Sequence, residues 1–553
     1  MANVTFLRKA LACALLASTS AACAQDGGVN SASAALDGPV MTQQGLVQGA
    51  PGKVDGVTVF KGIPFAAPPV GELRWREPQQ PASWEGVRDA TQWGKACVQN
   101  PAPQRFPMNG ATDFPDAPGM SEDCLFLNIW TPADSAGQKL PVMVWLYGGA
   151  YNEGGGNAPF SEGDQLAAKG VVMVTLNYRV GPFGFFSHPE LTAESPHNAS
   201  GNQALADSIA AFKWLKQNVA AFGGDPDNIT LFGESAGAAM NGGLAGSPVA
   251  RGTFERAIAQ SGAWMGLGIA QMGTRESAEE RSVQAATQAG ANSLAELRAL
   301  SAEQVQQGLR GQGMIVDGYI IPEDLSITFA QGRQNPVDVL VGSNSDEGSF
   351  TSAMGPPTTL ASWQQGEAMR WGERGELGRA AYPAATDAEA AAVSTMPFSD
   401  TMAWHMRQFA ERQAAIGKNA WLYWFTHEPK YDEGRPDLGA GHTAEIPYVF
   451  NNLAAPRTYP AGSSVELMAG DPREEAFADQ VSQYWVNFAR TGNPNGDGLP
   501  RWPAMSELGP SEAMLLDADG SGKGQWLTPA QVELYAALFQ DRVATPLGIA
   551  GGE

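Results

Sequence analysis

Ser235 lies in a stretch, TLFGESAGAAM, whose residue types suit a reactive nucleophile. Gly233, Ser235 and Gly237 form the pattern G-x-S-x-G, which places a serine on a sharp turn between a strand and a helix. The chain has 65 glycines, so the pattern also fits an ordinary glycine-rich bend. Because a serine hydroxyl is a weak nucleophile at neutral pH, the sequence must also supply a base and a site for negative charge.

A second glycine-rich segment offers the site for negative charge. In the stretch WLYGGAYNEGG, the consecutive Gly148 and Gly149 follow an apolar run and expose backbone N–H groups without side-chain obstruction. Ala236, the residue after the serine, supplies a further N–H group. Each such donor to a tetrahedral oxyanion is worth about 10²–10³ in rate. The alternative interpretation is a plain glycine turn.

The base would be a histidine, and the chain has five: His188, His197, His405, His427 and His442. When a serine acts from a strand-to-helix turn of this kind, the acid and the histidine follow it in the chain, which excludes the first two. His405 lies within a helix-like run. The spacing leaves His427, which ends a strand-like run, and His442, which lies in a loop, as open alternatives.

The acid is expected in the stretch SNSDEGSF, which directly follows an apolar run. Asp346 and Glu347 are adjacent there, and either carboxylate could hold the imidazole tautomer and stabilise its charged form. The alternative for both is a solvated loop acid.

Short apolar runs alternate with amphipathic segments along the chain. The runs at residues 140–147, 171–178, 228–232, 336–342 and 420–426 predict strands buried on both faces, as in a parallel sheet. Residues 202–222 carry apolar side chains at spacings of three and four, which predicts a helix. Thr528, Pro529 and Gln531 predict a capped C-terminal helix.

This alternation predicts an α/β fold with a central, mostly parallel sheet and helices on both faces. The segments 270–330 and 355–415 have a mostly helical pattern and are expected to form a cap or side region of the same domain. We expect one catalytic domain over residues 44–545 and a short tail over residues 546–553.

The composition excludes several classes of function. A formal charge of −23 and a pI near 4.6 disfavour binding to nucleic acid or to an anionic membrane surface. The acidic excess is expected to serve solubility, with attraction of cationic substrates as the alternative.

The N-terminus has the layout of a secretory signal peptide, predicted over residues 1–24. Arg8 and Lys9 precede an apolar run too short to span a bilayer, and Ala22 and Ala24 fit the small-residue cleavage pattern. The alternative is a lipoprotein acylated on Cys23. Residues 25–43 are small and polar and are expected to form a flexible tether.

Export leaves Cys97 and Cys124 as a pair in an oxidising compartment, where a disulfide is expected. Closing a loop of that size contributes about 3–4 kcal/mol in the chain-entropy model. The alternative is two unpaired buried thiols.

Over residues 44–541 the chain resembles the type-B carboxylesterase and cholinesterase family of α/β-hydrolases. The stretches that carry the resemblance are FKGIPFAAPPVGELRWREP, SEDCLFLNIWTP, VMVWLYGGAYNEG, NYRVGPFGF, FGGDPDNITLFGESAGA, AIAQSGA, GSNSDEGSF, GHTAEIPYVF and FARTGNPN. The resemblance implies Ser235 as nucleophile, Glu347 as acid and His442 as base.

The resemblance also implies roles around the triad. Backbone N–H groups of Gly149, Ala150 and Ala236 would form the oxyanion hole, with Gly148 preceding them. Ser261 and Glu445 flank catalytic motifs and would be either supporting or plain structural groups. Cys97 and Cys124 match a family disulfide, and Arg74 and Glu122 match a structural ion pair.

Two positions and one loop depart from the family pattern. Ala150 stands where a third glycine is frequent, and Met240 stands where a serine is usual. The disulfide loop contains Phe106 and Phe114 but no tryptophan, which argues against choline esters.

The sequence therefore predicts a secreted serine carboxylesterase that acts on small-molecule esters and needs no metal or organic cofactor. One alternative is a hydrolase of the same mechanism for amides, carbamates or specialised toxin esters. The other is a non-catalytic binding protein on the same fold.

Overall fold

The structure is a computed structural model that describes residues 36, 38–100, 117–353, 356–431, 437–455, 458–459, 463–464 and 468–547. The predicted signal peptide with Cys23 lies outside the described residues, as do Phe106, Phe114 and most of the predicted tail.

The strands are short, and most belong to one sheet. They are β1 (Val40–Met41), β2 (Leu46–Gln48), β3 (Ala50–Pro51), β4 (Thr58–Pro64), β5 (Val87–Asp89), β6 (Ala96–Cys97), β7 (Met120–Ser121), β8 (Phe126–Thr131), β9 (Leu140–Leu146), β10 (Val172–Leu176), β11 (Gly224–Glu234), β12 (Arg256–Gln260), β13 (Gly273–Thr274), β14 (Ile315–Val316), β15 (Asp338–Asn344), β16 (Ala420–Phe425), β17 (Thr458–Tyr459), β18 (Ser463–Ser464), β19 (Glu512–Leu516) and β20 (Gly522–Gln525).

The helices are α1 (Asp164–Ala168), α2 (Gly181–Gly184), α3 (Pro189–Glu194), α4 (Gln203–Asn218), α5 (Ala236–Gly246), α6 (Arg275–Gln288), α7 (Leu294–Ala299), α8 (Ala302–Gly308), α9 (Leu325–Ala330), α10 (Leu360–Gln365), α11 (Glu367–Trp371), α12 (Gly375–Ala381), α13 (Asp387–Val393), α14 (Met396–Ala415), α15 (Ile446–Val449), α16 (Pro472–Thr491) and α17 (Pro529–Ala544).

An eleven-stranded sheet forms the centre, in the order β20-β19-β16-β15-β12-β11-β9-β10-β8-β4-β3. The strands from β19 to β10 run parallel, and antiparallel strands close both ends. Parallel strands covered by helices are buried on both faces, which explains their continuous apolar runs. The predicted mostly parallel α/β sheet is confirmed.

The individual elements agree with their local sequence signals. Helix α4 and the 3₁₀ turn after it cover the amphipathic segment predicted over residues 202–222. Helix α17 begins with the predicted capping box of Thr528 and Gln531. Helices α6–α9 and α10–α14 occupy the two segments predicted to be mostly helical. Among the helices of the described residues, none has the length and apolar character needed to cross a bilayer.

The predicted flexible tether is wrong at its C-terminal end. Strand β1 lies within residues 25–43, and Val40 and Met41 pair antiparallel with β2. The N–H of Leu36 donates to the carbonyl of Ala133 at 3.0 Å. Composition missed this strand because two residues are too few to show a period, and pairing with a neighbouring segment stabilises them.

One disulfide and one ion pair link segments within the N-terminal part of the chain. Cys97 and Cys124 form the predicted disulfide. Arg74 makes a two-point ion pair with Glu122, from Nε at 2.7 Å and from Nη2 at 2.5 Å. Its Nη1 donates to three backbone carbonyls around the end of α7, those of Leu297, Arg298 and Leu300. The guanidinium therefore ties the Glu122 segment to the helical side region.

We expect Arg74→Met to lower the free energy of unfolding by about 3–5 kcal/mol, because it removes a buried guanidinium and leaves the mostly covered carboxylate of Glu122 unpaired. The control is Arg76→Met, since Arg76 pairs with Glu194 at the surface, and such pairs contribute about 0–1 kcal/mol. Urea denaturation followed by tryptophan fluorescence measures both. Equal losses for the two variants would contradict the scaffold role of Arg74.

Candidate active site

Ser235 occupies the turn between β11 and α5 in a strained backbone conformation. Its φ of 56° and ψ of −123° lie in a region that residues other than glycine seldom adopt. Such strain costs about 1–3 kcal/mol and persists only where neighbouring structure enforces it. Here the N–H of Ser235 donates to the carbonyl of Gln260 at 2.9 Å, and its own carbonyl accepts from Ala239 at 2.9 Å.

The two glycines of the pattern allow this turn to pack against the end of β9. A Cβ on Gly237 would lie 2.1 Å from the carbonyl oxygen of Leu146, and one on Gly233 would lie 2.6 Å from the same atom. The backbones therefore approach more closely than any side chain permits. The pattern is required by packing and is not a chance glycine-rich bend.

Ser235, His442 and Glu347 form one hydrogen-bonded chain. The Nε2 atom of His442 lies 2.9 Å from Oγ of Ser235. Its Nδ1 atom lies 2.5 Å from Oε2 of Glu347. Glu347 is fully buried, and its Oε1 accepts hydrogen bonds from the hydroxyl of Ser261 and from the N–H of Asn344. The structure thus brings together the three residues implied by the family resemblance.

The other two histidines that follow Ser235 in the chain, the open alternative His427 and the helical His405, have other partners. His427 is buried and its Nε2 lies 2.9 Å from Oε2 of Glu474. His405 lies inside α14, with Nδ1 2.8 Å from the carbonyl of Thr401.

Asp346 ties the acid loop to the histidine loop. Its N–H donates to the carbonyl of Ala440 at 3.0 Å, and its Oδ2 accepts from the N–H of Ala440 at 3.1 Å. It therefore orients the segment that carries His442 without contacting the imidazole.

Sequence reasoning missed Glu234, the residue before the serine. Its Oε1 atom lies 3.3 Å from Nε2 of His442, and the residue is buried. A signal was present, because Glu234 closely follows the apolar run ITLF (residues 229–232), and a buried acid there needs a partner to offset a large desolvation cost.

These carboxylates set the charge state of the imidazole. Burial by itself lowers the pKa of His442, but the negative charges of Glu234 and then Glu347, together with the hydrogen bond to Glu347, outweigh it. They raise the pKa of His442 to about 9. The site therefore favours the imidazolium over the neutral base.

Glu445 is a further buried carboxylate behind the acid. It accepts from the amide of Asn344 at 2.7 Å and from the amide of Gln260 at 2.9 Å. Burial and then the charge of Glu347 raise the pKa of Glu445. Ser261 and Glu445, named from the sequence as supporting groups, thus both contact the structure around Glu347, one directly and one through Asn344.

The segment after β9, residues 148–156, is called the glycine loop here. A Cβ on Gly148 would lie 2.8 Å from a carboxylate oxygen of Glu234 and 2.9 Å from Cβ of Ser235, so the loop backbone reaches the serine closely. Gly149 has a φ of 110° and Ala150 a φ of 51°. The loop thus turns sharply at the two residues whose N–H groups the resemblance assigns to the oxyanion hole.

The N-terminus of α5 offers further backbone N–H groups next to Ser235. Ala236 is the first residue of this eleven-residue helix and follows the serine directly. Unpaired N–H groups at a helix start carry partial positive charge, which favours an anion there.

Two aromatic side chains pack near the imidazole of His442. The rings of Phe350 and Phe398 each lie 6.2 Å from the imidazole, and they contact each other edge to face at 5.3 Å. Phe398 also packs against a small cluster that contains Ala263 and Met402. The surroundings of the imidazole on the side of these two rings are therefore apolar.

A serine on a strand-to-helix turn of a mostly parallel sheet, followed in the chain by its acid and then its histidine, is the arrangement of an α/β-hydrolase. The Carboxylesterase family model matches residues 37–534. The chain is 37% identical to the fumonisin B1 esterase of Sphingopyxis macrogoltabida, covering 89% of this chain and 88% of that one. It is 34% identical to the para-nitrobenzyl esterase of Bacillus subtilis (strain 168), covering 87% and 95%.

Solved structures agree with these relatives. A carboxylesterase of Geobacillus stearothermophilus superposes with a TM-score of 0.72 at 32% identity, covering 90% of this chain and 99% of that one. A structure of PNB esterase gives a TM-score of 0.75 at 31% identity with the same coverage. The chain belongs to the carboxylesterase family and has the α/β-hydrolase fold. It is a carboxylic ester hydrolase.

The charge balance around His442 predicts the pH dependence of kcat/KM. A general base must be neutral, so kcat/KM should rise with pH through a midpoint near the pKa of His442, about 9. Glu234→Gln removes the negative charge that contributes most to raising the pKa of His442. We expect its midpoint to fall from about 9 toward the ordinary 6.5. Its plateau should also fall, because the imidazolium formed in the reaction loses a partner.

The measurement is kcat/KM for p-nitrophenyl acetate across the pH range in which the protein stays folded. Glu445→Gln is the matched control, since Glu445 contributes least among the groups that raise the pKa of His442. It should move the midpoint less than Glu234→Gln does. A midpoint for Glu234→Gln at or above that of the wild type would refute the assignment.

Proposed function

We propose that the protein is a serine carboxylesterase that hydrolyses carboxylic esters through an acyl-enzyme on Ser235. The observation that carries this proposal is the continuous hydrogen-bonded chain from Oγ of Ser235 through His442 to buried Glu347. A hydroxyl, a base and an orienting acid in this series are the parts that acyl transfer needs.

In the first half of the reaction, Nε2 of His442 takes the proton of Ser235 as Oγ attacks the ester carbonyl. The tetrahedral oxyanion is stabilised by backbone N–H groups of Gly149, Ala150 and Ala236. Glu347 holds the imidazole tautomer and stabilises its charged form. His442 then donates its proton to the leaving alcohol, which departs and leaves the acyl-enzyme.

In the second half, His442 takes a proton from water as the water attacks the acyl-enzyme. The second oxyanion uses the same backbone donors. When it collapses, His442 returns the proton to Oγ of Ser235 and the carboxylic acid leaves.

A specialised toxin-ester hydrolase is the second candidate. Its support is the similarity to a protein named fumonisin B1 esterase, whereas other relatives are named para-nitrobenzyl esterase and cocaine esterase. These names differ in substrate, and in this fold specificity lies in the loops and cap that surround a shared triad. The same mechanism would also serve carbamates or amides. A non-catalytic binding protein is disfavoured because no member of the triad is missing.

We further propose that the protein is exported and that residues 44–545 form one catalytic domain. The layout of residues 1–24 as a signal peptide supports export, and so does the disulfide between Cys97 and Cys124, which an oxidising compartment permits. Cleavage after Ala24 gives a free protein, whereas acylation of Cys23 would give an anchored one.

The experiment uses residues 25–553 and p-nitrophenyl esters of increasing acyl length, with an anilide and a carbamate for comparison. Ser235→Ala should lower kcat by about 10⁴–10⁶-fold, because no other group forms the acyl-enzyme. Ser482→Ala is the control, since its hydroxyl is buried in α16 and bonds only to carbonyls of that helix.

Activity that survives in folded Ser235→Ala would overturn the mechanism. An inactive wild type that still reacts with a fluorophosphonate would indicate a narrow substrate range instead. A wild type that neither turns over esters nor reacts with the fluorophosphonate would indicate a binding protein.

A further inference from the structure

Gln99 is a buried amide that lies between the disulfide and the glycine loop. It is two residues after Cys97, and its side chain is 3% exposed. Its Nε2 donates to the carbonyl of Cys97 at 3.0 Å and to the carbonyl of Gly154 at 2.9 Å. Its Oε1 accepts from the N–H of Gly154 at 2.8 Å. One side chain therefore satisfies both backbone groups of one loop residue.

Gly154 in turn packs against the start of the glycine loop, which lies next to Ser235. A Cβ there would lie 2.2 Å from the ring of Tyr147 and 3.0 Å from the carbonyl of Gly148, so Gly154 packs directly behind the start of the loop. Glu153, the preceding residue, donates its N–H to the carbonyl of Gly149 at 3.3 Å, and Asn152 donates to it at 2.9 Å. The amide plane that follows Gly149, which carries the N–H of Ala150, is thereby connected to Gly154.

The loop would otherwise have considerable backbone freedom. Gly154, Gly155 and Gly156 are consecutive, and glycine has the widest range of backbone conformations. Gly156 is held separately, with its N–H bonded to Asn177 at 2.8 Å and its carbonyl accepting from Asn128 at 3.1 Å. Gly154 and Gly155 separate the anchored Gly156 from Glu153. The hydrogen bonds of Gln99 to Gly154 are therefore the anchor nearest to the turn at Gly149 and Ala150.

We propose that Gln99 is a positioning residue for the oxyanion donors, and that it anchors the glycine loop to the disulfide-closed segment. The inference rests on the proposed function, because it assigns Gln99 a part in stabilising the oxyanion. An oxyanion donor must lie about 2.7–3.1 Å from the developing charge. A small shift of the loop therefore reduces the stabilisation of the transition state more than it reduces the affinity for substrate. A residue that fixes the loop should therefore affect kcat more than KM.

The test is Gln99→Met, which keeps the length of the side chain and removes all three hydrogen bonds. We expect kcat for p-nitrophenyl esters to fall about 10–100-fold with KM changed by less than about threefold, since a misplacement near 1 Å can cost about 10² in rate. The inhibition constant of a trifluoromethyl ketone, whose hemiketal oxyanion occupies the same site, should rise by the factor by which kcat/KM falls.

Asn335→Leu is the matched control. Asn335 is also a buried amide with three hydrogen bonds, to the carbonyls of Leu244 and Ser247 and from Arg251, but it lies away from the glycine loop. We expect it to lower the melting temperature without changing kcat or the inhibition constant. Asparagine is shorter than glutamine by one methylene group, so Gln99→Asn should have a kcat and an inhibition constant between those of Gln99→Met and the wild type.

The outcomes separate this inference from the proposed function. If Ser235→Ala is inactive but Gln99→Met keeps kcat within about twofold of the wild type, the positioning role is wrong and the serine mechanism stands. An equal loss of kcat in Asn335→Leu would also overturn the inference, because the effect would then reflect stability. If Ser235→Ala retains activity, the proposed function fails first.

Discussion

The imidazole of His442 lies among three buried carboxylates, and the site depends on that balance of charge. Glu234 and Glu347 approach its two nitrogens, and Glu445 lies behind Glu347. Buried carboxylates are costly unless they are paired and hydrogen-bonded. The imidazolium, which these carboxylates favour, supplies the positive charge that offsets them. The ground state of the site is thus already arranged for the charge of the transition state.

The same negative field would oppose an oxyanion, whereas the N–H groups at the start of α5, directly after Ser235, carry partial positive charge that favours one. In the proposed mechanism the oxyanion donors are backbone N–H groups of the glycine loop and of the start of α5, which carry no full charge. Neighbouring parallel strands deliver all of these groups from their carboxyl ends. Strand β9 leads into the glycine loop, β11 into Ser235, β12 into Ser261 and β15 into the loop of Glu347. Ligand sites at this edge of open α/β sheets follow from that geometry.

Much of this arrangement was predictable from the sequence, because local rules govern the parts concerned. The apolar runs predicted the central parallel strands, and the glycine pattern placed Ser235 on its turn. Composition did not predict the N-terminal strand β1, because a strand of two residues is too short to show an alternating pattern of apolar and polar residues. Its place is set by pairing with β2, a tertiary contact that no local rule contains.

The choice of base and acid could not be made from spacing. His427 and His442 both follow β16, and which of them reaches Ser235 depends on the path of a long connection. Asp346 and Glu347 are adjacent, yet one bonds to the backbone of Ala440 and the other to the imidazole. Family resemblance selected His442 and Glu347 where residue chemistry left both pairs open. Glu234 was visible in the sequence only as an acid that closely follows an apolar run, residues 229–232.

The most direct test of the account is to trap the covalent intermediate. The protein would be mixed with a slowly deacylating ester, quenched in acid within the first turnovers, digested and measured by mass spectrometry. The account predicts that the peptide containing Ser235 gains the mass of one acyl group, and that fragmentation places the group on that serine. Rapid ester turnover with Ser235 unmodified, or with the acyl group on another residue, would contradict it.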